Sequence, residues 1–144
     1  MESAGITESP EDDSTGDYAS AAGGGDATAG GFLATAFADG ANSDALSTGI
    51  LDASVSSGAN TEANAVGNIG DFASVINTGS AFDEAIAGGG VPFSSNFDIA
   101  DIFGTGSTAL AGSGGSFDLA AVFADMLDAN AAGGNFLIDI LPSL

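Results

Sequence analysis

Apolar and polar residues alternate in short groups along most of this chain. Apolar residues stand at alternate positions at Phe117, Leu119, Ala121 and Phe123, which is the period of a β-strand with one buried face. A turn signal such as Gly104-Thr105-Gly106 follows these groups quickly, so each group is short for a helix. The pattern therefore predicts short strands joined by glycine-rich turns.

One stretch also fits a helical period. The large apolar residues between positions 119 and 127 recur at intervals of three and four, as they do on one face of a helix. Short helices in some repeats, above all over Phe117–Asn130, are therefore an alternative. A largely disordered isolated chain is a further alternative, because a high charge of one sign opposes folding.

The strongest feature of the sequence is an internal repeat of about 20 residues. Residues 95–114 and 115–134 share seven identical positions, among them Phe97 with Phe117 and Asp98 with Asp118. Each unit holds an apolar stretch, a turn, an Ala-x-Ala stretch and a Gly-rich turn, and about five or six copies follow one another. Two strands and two turns make one coil that hydrogen-bonds to the next. We therefore predict an all-β fold, a solenoid or β-roll.

The distribution of acidic residues divides the chain into two regions. Six of the 20 Asp and Glu residues lie in the first 17 positions, and a Gly- and Ala-rich segment follows as far as Gly31. We predict that residues 1–31 are an acidic disordered tail with a linker, and that residues 32–144 form the repeat domain.

Composition excludes several functions. The chain has no Lys, Arg, His or Cys, and its formal net charge is −20. A nucleic-acid partner is not expected, because phosphate charge is neutralised by Lys and Arg. Histidine-based catalysis and thiolate sites cannot be built, so we predict that the protein is not an enzyme. The sequence also shows neither a transmembrane segment nor a classical signal peptide.

The repeat unit resembles a known class of sequences. Gly-x-Phe-Asp followed by Ala-x-Ala-Gly is similar to the Gly/Ala-rich, Lys-poor repeat proteins of mycobacteria and other actinobacteria, and to their PGRS-type segments. The Ala-x-Ala-Gly halves are also similar to head repeats of trimeric autotransporter adhesins, which form β-rolls. The resemblance covers Phe32–Leu144. It implies a secreted or envelope-associated structural protein without catalytic residues, although Gly23-Gly24-Gly25-Asp26 lacks the calcium-binding spacing of PGRS and RTX repeats.

Three aspartates are candidate metal ligands. Asp98, Asp118 and Asp52 fall at one repeat position, where stacked coils would bring them ~5 Å apart. Such a column could bind Ca²⁺ through hard oxygen ligands. The same column could instead be solvated or could cap turns. An acidic Ca²⁺-responsive binding module is therefore the alternative function.

Two further groups of side chains could carry chemistry. Neighbouring carboxyls could act as acid and base in glycoside hydrolysis, namely Asp98 with Asp101 and Asp83 with Glu84. No cleft or sugar platform is predicted beside them, since the chain has no Trp and one Tyr. A Thr/Ser face for ice binding could include Thr105, Ser107 and Thr108, but the positions 20 residues later are not hydroxyl residues.

The C-terminal segment is dense in large apolar residues. Phe136, Leu137, Ile138, Ile140 and Leu141 could form a cap on the solenoid or an edge for a partner or for self-association. We therefore predict a non-enzymatic structural or interaction protein that scaffolds or self-assembles through its stacked repeats.

Overall fold

A computed structural model describes residues 16–77, 79–88, 96–112, 116–131 and 137–142. In chain order its strands are β1 (Tyr18–Ala22), β2 (Asp26–Phe32), β3 (Thr35–Asp39), β4 (Ser43–Ile50), β5 (Ala53–Ser57), β6 (Thr61–Ile69), β7 (Phe72–Asn77), β8 (Asp83–Ala87), β9 (Ile99–Gly104), β10 (Thr108–Ala111), β11 (Leu119–Phe123), β12 (Asp128–Ala131) and β13 (Ile138–Pro142). Together they form a β-solenoid of about six turns, as predicted.

Successive strands alternate between two parallel sheets. The odd-numbered strands form one sheet, here called the odd sheet, in the order β1-β3-β5-β7-β9-β11-β13. The even-numbered strands form the even sheet, in the order β12-β10-β8-β6-β4-β2. Each coil therefore contributes one strand to each sheet and pairs with the coils before and after it.

The described residues contain no helix, and hence none that could cross a membrane. The short-helix alternative over Phe117–Asn130 is therefore wrong, because β11 and β12 occupy that stretch with a turn between them. The 20-residue offset is the observed register: Leu119 pairs with Ile99, and Ala129 pairs with Ala109. Pairing with the neighbouring coils, rather than local helical periodicity, decides the conformation here.

Two strands lie within the segment predicted as tail and linker. β1 pairs in register with β3, and β2 pairs with β4. Their inward residues include Ala27 and Ala29, which are buried. Methyl groups are enough to fill the interior at this end, so a strand forms where the sequence offers little hydrophobic contrast.

Alanine dominates the interior between the two sheets. One inward column of the even sheet consists entirely of buried alanines: Ala27, Ala45, Ala63, Ala85, Ala109 and Ala129. The largest buried apolar side chains are Ile102, Val75 and Val122 on the odd sheet. Stability therefore rests on backbone ladders and many small contacts rather than on large side chains.

A layer of hydroxyl groups separates two apolar clusters of the core. One cluster lies among residues 21–45 and the other among residues 63–131. Between them the Ser56 hydroxyl donates to Thr61 Oγ1 at 2.7 Å, and the Ser43 hydroxyl donates to the Ser56 carbonyl at 2.8 Å. All three residues are buried. These three residues thus form hydrogen bonds with one another at the level of the core that lies between the two alanine-rich clusters.

The corners before β3, β5, β7, β9 and β11 have an unusual backbone. Leu33, Leu51, Phe97 and Phe117 have φ between 55° and 65°, and Gly70 has φ 76° at the equivalent place. This left-handed conformation costs a bulky residue about 1 kcal/mol or more. The corner therefore fixes the position of the residue that follows it.

Candidate functional site

A column of aspartates follows these strained corners. We call it the aspartate ladder, and its members stand directly before β1, β5, β7, β9 and β11: Asp17, Asp52, Asp71, Asp98 and Asp118. Each Oδ1 accepts the backbone N–H of the equivalent residue in the next coil. The distances are 3.0 Å from Asp52 to Asp71 N, 3.1 Å from Asp71 to Asp98 N and 2.9 Å from Asp98 to Asp118 N.

The ladder is interrupted at Ala34 and ends at Leu137, two positions that lack the carboxyl. Asp17 Oδ1 accepts the N–H of Ala34 at 2.8 Å, and Asp118 Oδ1 accepts that of Leu137 at 2.8 Å. Ala34 and Leu137 each donate a backbone hydrogen bond to the preceding Asp but have no side-chain carboxyl that could accept one in turn. At each such corner the carboxyl therefore accepts a backbone N–H just before the hydrogen bonds between the paired strands begin.

These carboxyls are unusual because they are buried. Asp52, Asp71 and Asp118 are each 1% exposed, and their Oδ2 atoms have no hydrogen-bond partner among the described residues. Burial raises the pKa of Asp71 to about 7; a backbone N–H opposes this rise, and the carboxyls of Asp52 and Asp98 add to it. Burial also raises the pKa of Asp52. The Asp71 carboxyl therefore exchanges its proton near neutral pH.

Glycines make room for the ladder. A methyl group on Gly49 would overlap Asp52 Oδ2, and one on Gly112 would overlap Asp98 Oδ2. Both glycines also have positive φ. The Gly-rich turns of the repeat thus have a steric role beside the carboxyls.

The three aspartates predicted as metal ligands are brought together in this column. Asp52, Asp98 and Asp118 point inward and accept backbone N–H groups, as turn caps would. Among the described residues no group of three or more acidic, His or Cys side chains is arranged to hold a metal ion. Calcium binding by this column stays a prediction.

Asp71 was not among the predicted site residues, although the sequence carried a signal for it. It follows Gly70 and precedes an apolar strand, just as Asp98 follows Phe97. The interval from Asp71 to Asp98 is longer than the 20-residue repeat, because the coil between them contains extra residues. A fixed repeat length therefore hides the equivalence.

A second acidic column lies on the outer surface of the even sheet. The residues that share this register position are Asp26, Asp44, Glu62, Glu84, Thr108 and Asp128. Burial raises the pKa of Asp44, and the carboxyls of Asp26 and Glu62 raise it further. Each acid directly precedes an alanine of the buried column, so this acidic surface could have been predicted from the sequence.

The other predicted groups are separated by the fold. Asp98 is buried at a corner, whereas Asp101 lies partly exposed on the outer face of β9. Asp83 is buried, and its neighbour Glu84 lies on the opposite face of β8. Neither carboxyl pair converges on a common cleft.

The hydroxyl residues considered for a flat surface are separated in the same way. Ser107 is buried and accepts the backbone N–H of Leu127 at 3.3 Å, while Thr108 lies partly exposed in the outer acidic column. Thr105 lies in the turn before them. These three residues do not share one face.

The C-terminal strand forms the end of the odd sheet. β13 pairs with β11 alone among the described strands. Ile138 is 70% exposed and Ile140 is exposed, whereas Leu141 packs partly buried against the larger core cluster. Leu137 is exposed beside them, and Phe136 lies outside the described residues.

The hydrogen bonds reveal which way the β13 backbone points. The Leu137 carbonyl accepts the N–H of Leu119, so position 137 faces β11. Backbone groups of successive residues in a strand point to opposite sides, so those of Ile138 and Ile140 face the open edge.

We found no match to the chain among protein-family models, curated proteins or solved structures.

Proposed function

We propose that this protein is a non-enzymatic structural protein of the cell surface or extracellular space that assembles by adding strands at the ends of its solenoid. The open edge of β13 is the observation that carries this proposal. Its N–H and C=O groups at Ile138 and Ile140 are aligned for a further parallel strand. The resemblance to exported Gly/Ala-rich repeat proteins supports the location.

The strand offers few of the features that normally block an edge. Natural edge strands carry Lys, charged side chains or Pro to prevent such pairing. Here the outward side chains of Ile138 and Ile140 are apolar, and Pro142 alone interrupts the row of edge N–H groups. The one charged side chain, Asp139, accepts the Asn130 N–H of the even sheet. Addition of β1 from another copy would continue the parallel odd sheet in a head-to-tail, open arrangement.

The even sheet behaves differently at the same end. Its last strand, β12, has the backbone N–H of Asn130 bound to Asp139 Oδ2 at 2.7 Å. This side-chain bond covers one donor of the β12 edge. Growth is therefore expected to begin on the odd sheet.

The test is the substitution Ile140→Pro. Proline removes the N–H that faces the open edge but leaves the bonds between β13 and β11, because those use the alternate residues. Ile140→Val is the matched control, since it keeps the N–H and the apolar side chain. Sedimentation velocity over a concentration series should show assembly of the wild-type protein and of Ile140→Val, and its loss in Ile140→Pro.

Circular dichroism should show the same β-sheet signal in all three proteins. Unchanged assembly of Ile140→Pro, or a wild-type protein that stays monomeric, would contradict the proposal. The series is run with added calcium and with a chelator. A β signal or assembly that appears only with calcium would support the Ca²⁺-responsive module instead, with the acidic column of the even sheet as its candidate surface.

A further inference from the structure

The outer face of the odd sheet carries a short apolar depression. Two rows of large side chains flank it: Phe72, Ile99 and Leu119 on one side, and Ile76, Phe103 and Phe123 on the other. Most of these side chains are exposed, and Phe103 is 51% exposed. They form a water-facing apolar surface on a chain of charge −20.

The floor between these rows consists of small or acidic residues. Ser74, Asp101 and Ala121 occupy the middle position of β7, β9 and β11 and pair in register. Ser74 is 7% exposed and Ala121 is 3% exposed, although both side chains are on the outer face. The taller rows therefore enclose the floor on both sides.

Larger residues end the depression along the solenoid axis. Val55 occupies the floor position on β5, and Ile140 occupies it on β13. The depression thus spans three coils, roughly 14 Å at the usual strand spacing. Asp101 lies on its central strand and is the one charged residue of its floor.

The Asp101 carboxylate determines which kind of group can bind in the depression. Asp101 accepts no hydrogen bond from the described residues, and the chain contains no Lys, Arg or His to pair with it. A covering group without a cation would leave the carboxylate in an apolar contact without a partner, which is costly. A second copy of this chain is such a group, so the face is not suited to self-pairing.

We infer that this depression binds a lysine or arginine side chain of a protein partner, flanked there by apolar residues. The aliphatic stem of the side chain would lie against Ile99 and Phe103, and its cationic end would reach Asp101. The net charge of −20 would draw a basic partner to the surface. The inference is independent of strand addition at β13, which uses backbone groups at the edge.

The test uses a short acetylated and amidated peptide with a central lysine between leucines and otherwise neutral residues. The matched peptide carries norleucine in place of lysine. Titration calorimetry should show that the lysine peptide binds more tightly than the norleucine peptide. Asp101→Asn should weaken lysine-peptide binding about tenfold and leave norleucine-peptide binding unchanged, whereas Phe103→Ala should weaken both.

Asp44→Asn is the control for net charge, because it removes one carboxylate from the opposite sheet. It should change lysine-peptide binding by about twofold or less at physiological salt. Equal effects of Asp101→Asn and Asp44→Asn, or no binding of either peptide, would overturn the inference. Self-association that Phe103→Ala abolishes would overturn it as well, since the occupant would then be a second copy. Assembly is measured by sedimentation of Ile140→Pro, whereas this site is measured by the two peptide titrations of Asp101→Asn, so failure of assembly and failure of this site remain distinguishable.

Discussion

Two buried serines on β5 differ in whether their hydroxyls have hydrogen-bond partners. Ser56 takes part in the hydroxyl layer with Ser43 and Thr61, with a shortest distance of 2.7 Å. The Ser54 hydroxyl is buried without a hydrogen-bond partner among the described residues. Ser54 therefore carries a desolvation cost that a methyl group would not have.

Alanine at these two positions should have different effects on stability. Ser56→Ala should lower the free energy of unfolding by about 1–2 kcal/mol, because it leaves two buried hydroxyls with fewer partners. Ser54→Ala should leave that free energy unchanged or raise it by about 1 kcal/mol. Urea unfolding followed by circular dichroism measures both. A loss of similar size in the two variants would show that the hydroxyl layer has no special role.

At the scale of the strands, the glycines decide how closely coils approach the ladder. Gly49 on β4 has φ +149°, and a methyl group there would overlap the Asp52 carboxyl. Gly30 on the neighbouring β2 has no heavy atom within 4 Å of the place a methyl group would occupy. The two strands thus offer a matched pair of positions.

Gly49→Ala should lower the free energy of unfolding by about 3 kcal/mol or more, from overpacking and backbone strain together. Gly30→Ala should leave it within about 1 kcal/mol of the wild type, and a small gain is expected from the stiffer unfolded chain. Thermal unfolding of both variants at one pH measures the difference. Equal melting temperatures would mean that the ladder can shift to admit a side chain.

At the scale of the whole molecule, buried carboxyls link folding to pH. Burial raises the pKa of Asp71 from 3.8 to about 7, and burial also raises the pKa values of Asp52 and Asp83. A raised pKa means that the folded state binds a proton more tightly than the unfolded state does. The resulting stability is complete below the unfolded pKa and is lost as the pH rises through the folded pKa.

The free energy of unfolding should therefore fall between about pH 4 and about pH 8, with about 4 kcal/mol coming from Asp71 alone. Asp71→Asn should flatten this dependence, because the amide stays neutral and its oxygen can still accept the Asp98 N–H. Asp26→Asn is the control, since it removes an exposed acid of the even sheet and should keep the slope. Chemical unfolding at a series of pH values measures all three proteins. Identical slopes would contradict a protonated Asp71 in the folded state.

Sequence reasoning predicted the solenoid because the repeat and the turn signals agree with each other. The 20-residue offset is the register between β9 and β11. The first two strands could not be predicted, since Ala27 and Ala29 differ little in hydropathy from their neighbours. The column of Asp52, Asp98 and Asp118 could be predicted from repeat positions. Its burial could not, because aspartate is normally exposed.

The aspartate ladder also makes the coils interchangeable. Asp71, Asp98 and Asp118 each donate a backbone N–H to the Asp of the coil before and accept one from the coil after, as Asp98 does between Asp71 and Asp118. A duplicated coil inserted at such a position would bring its own acceptor and would need no compensating change elsewhere. The rod can therefore lengthen by gene duplication in steps of about 4.8 Å, and its length is a property that evolution can adjust one coil at a time.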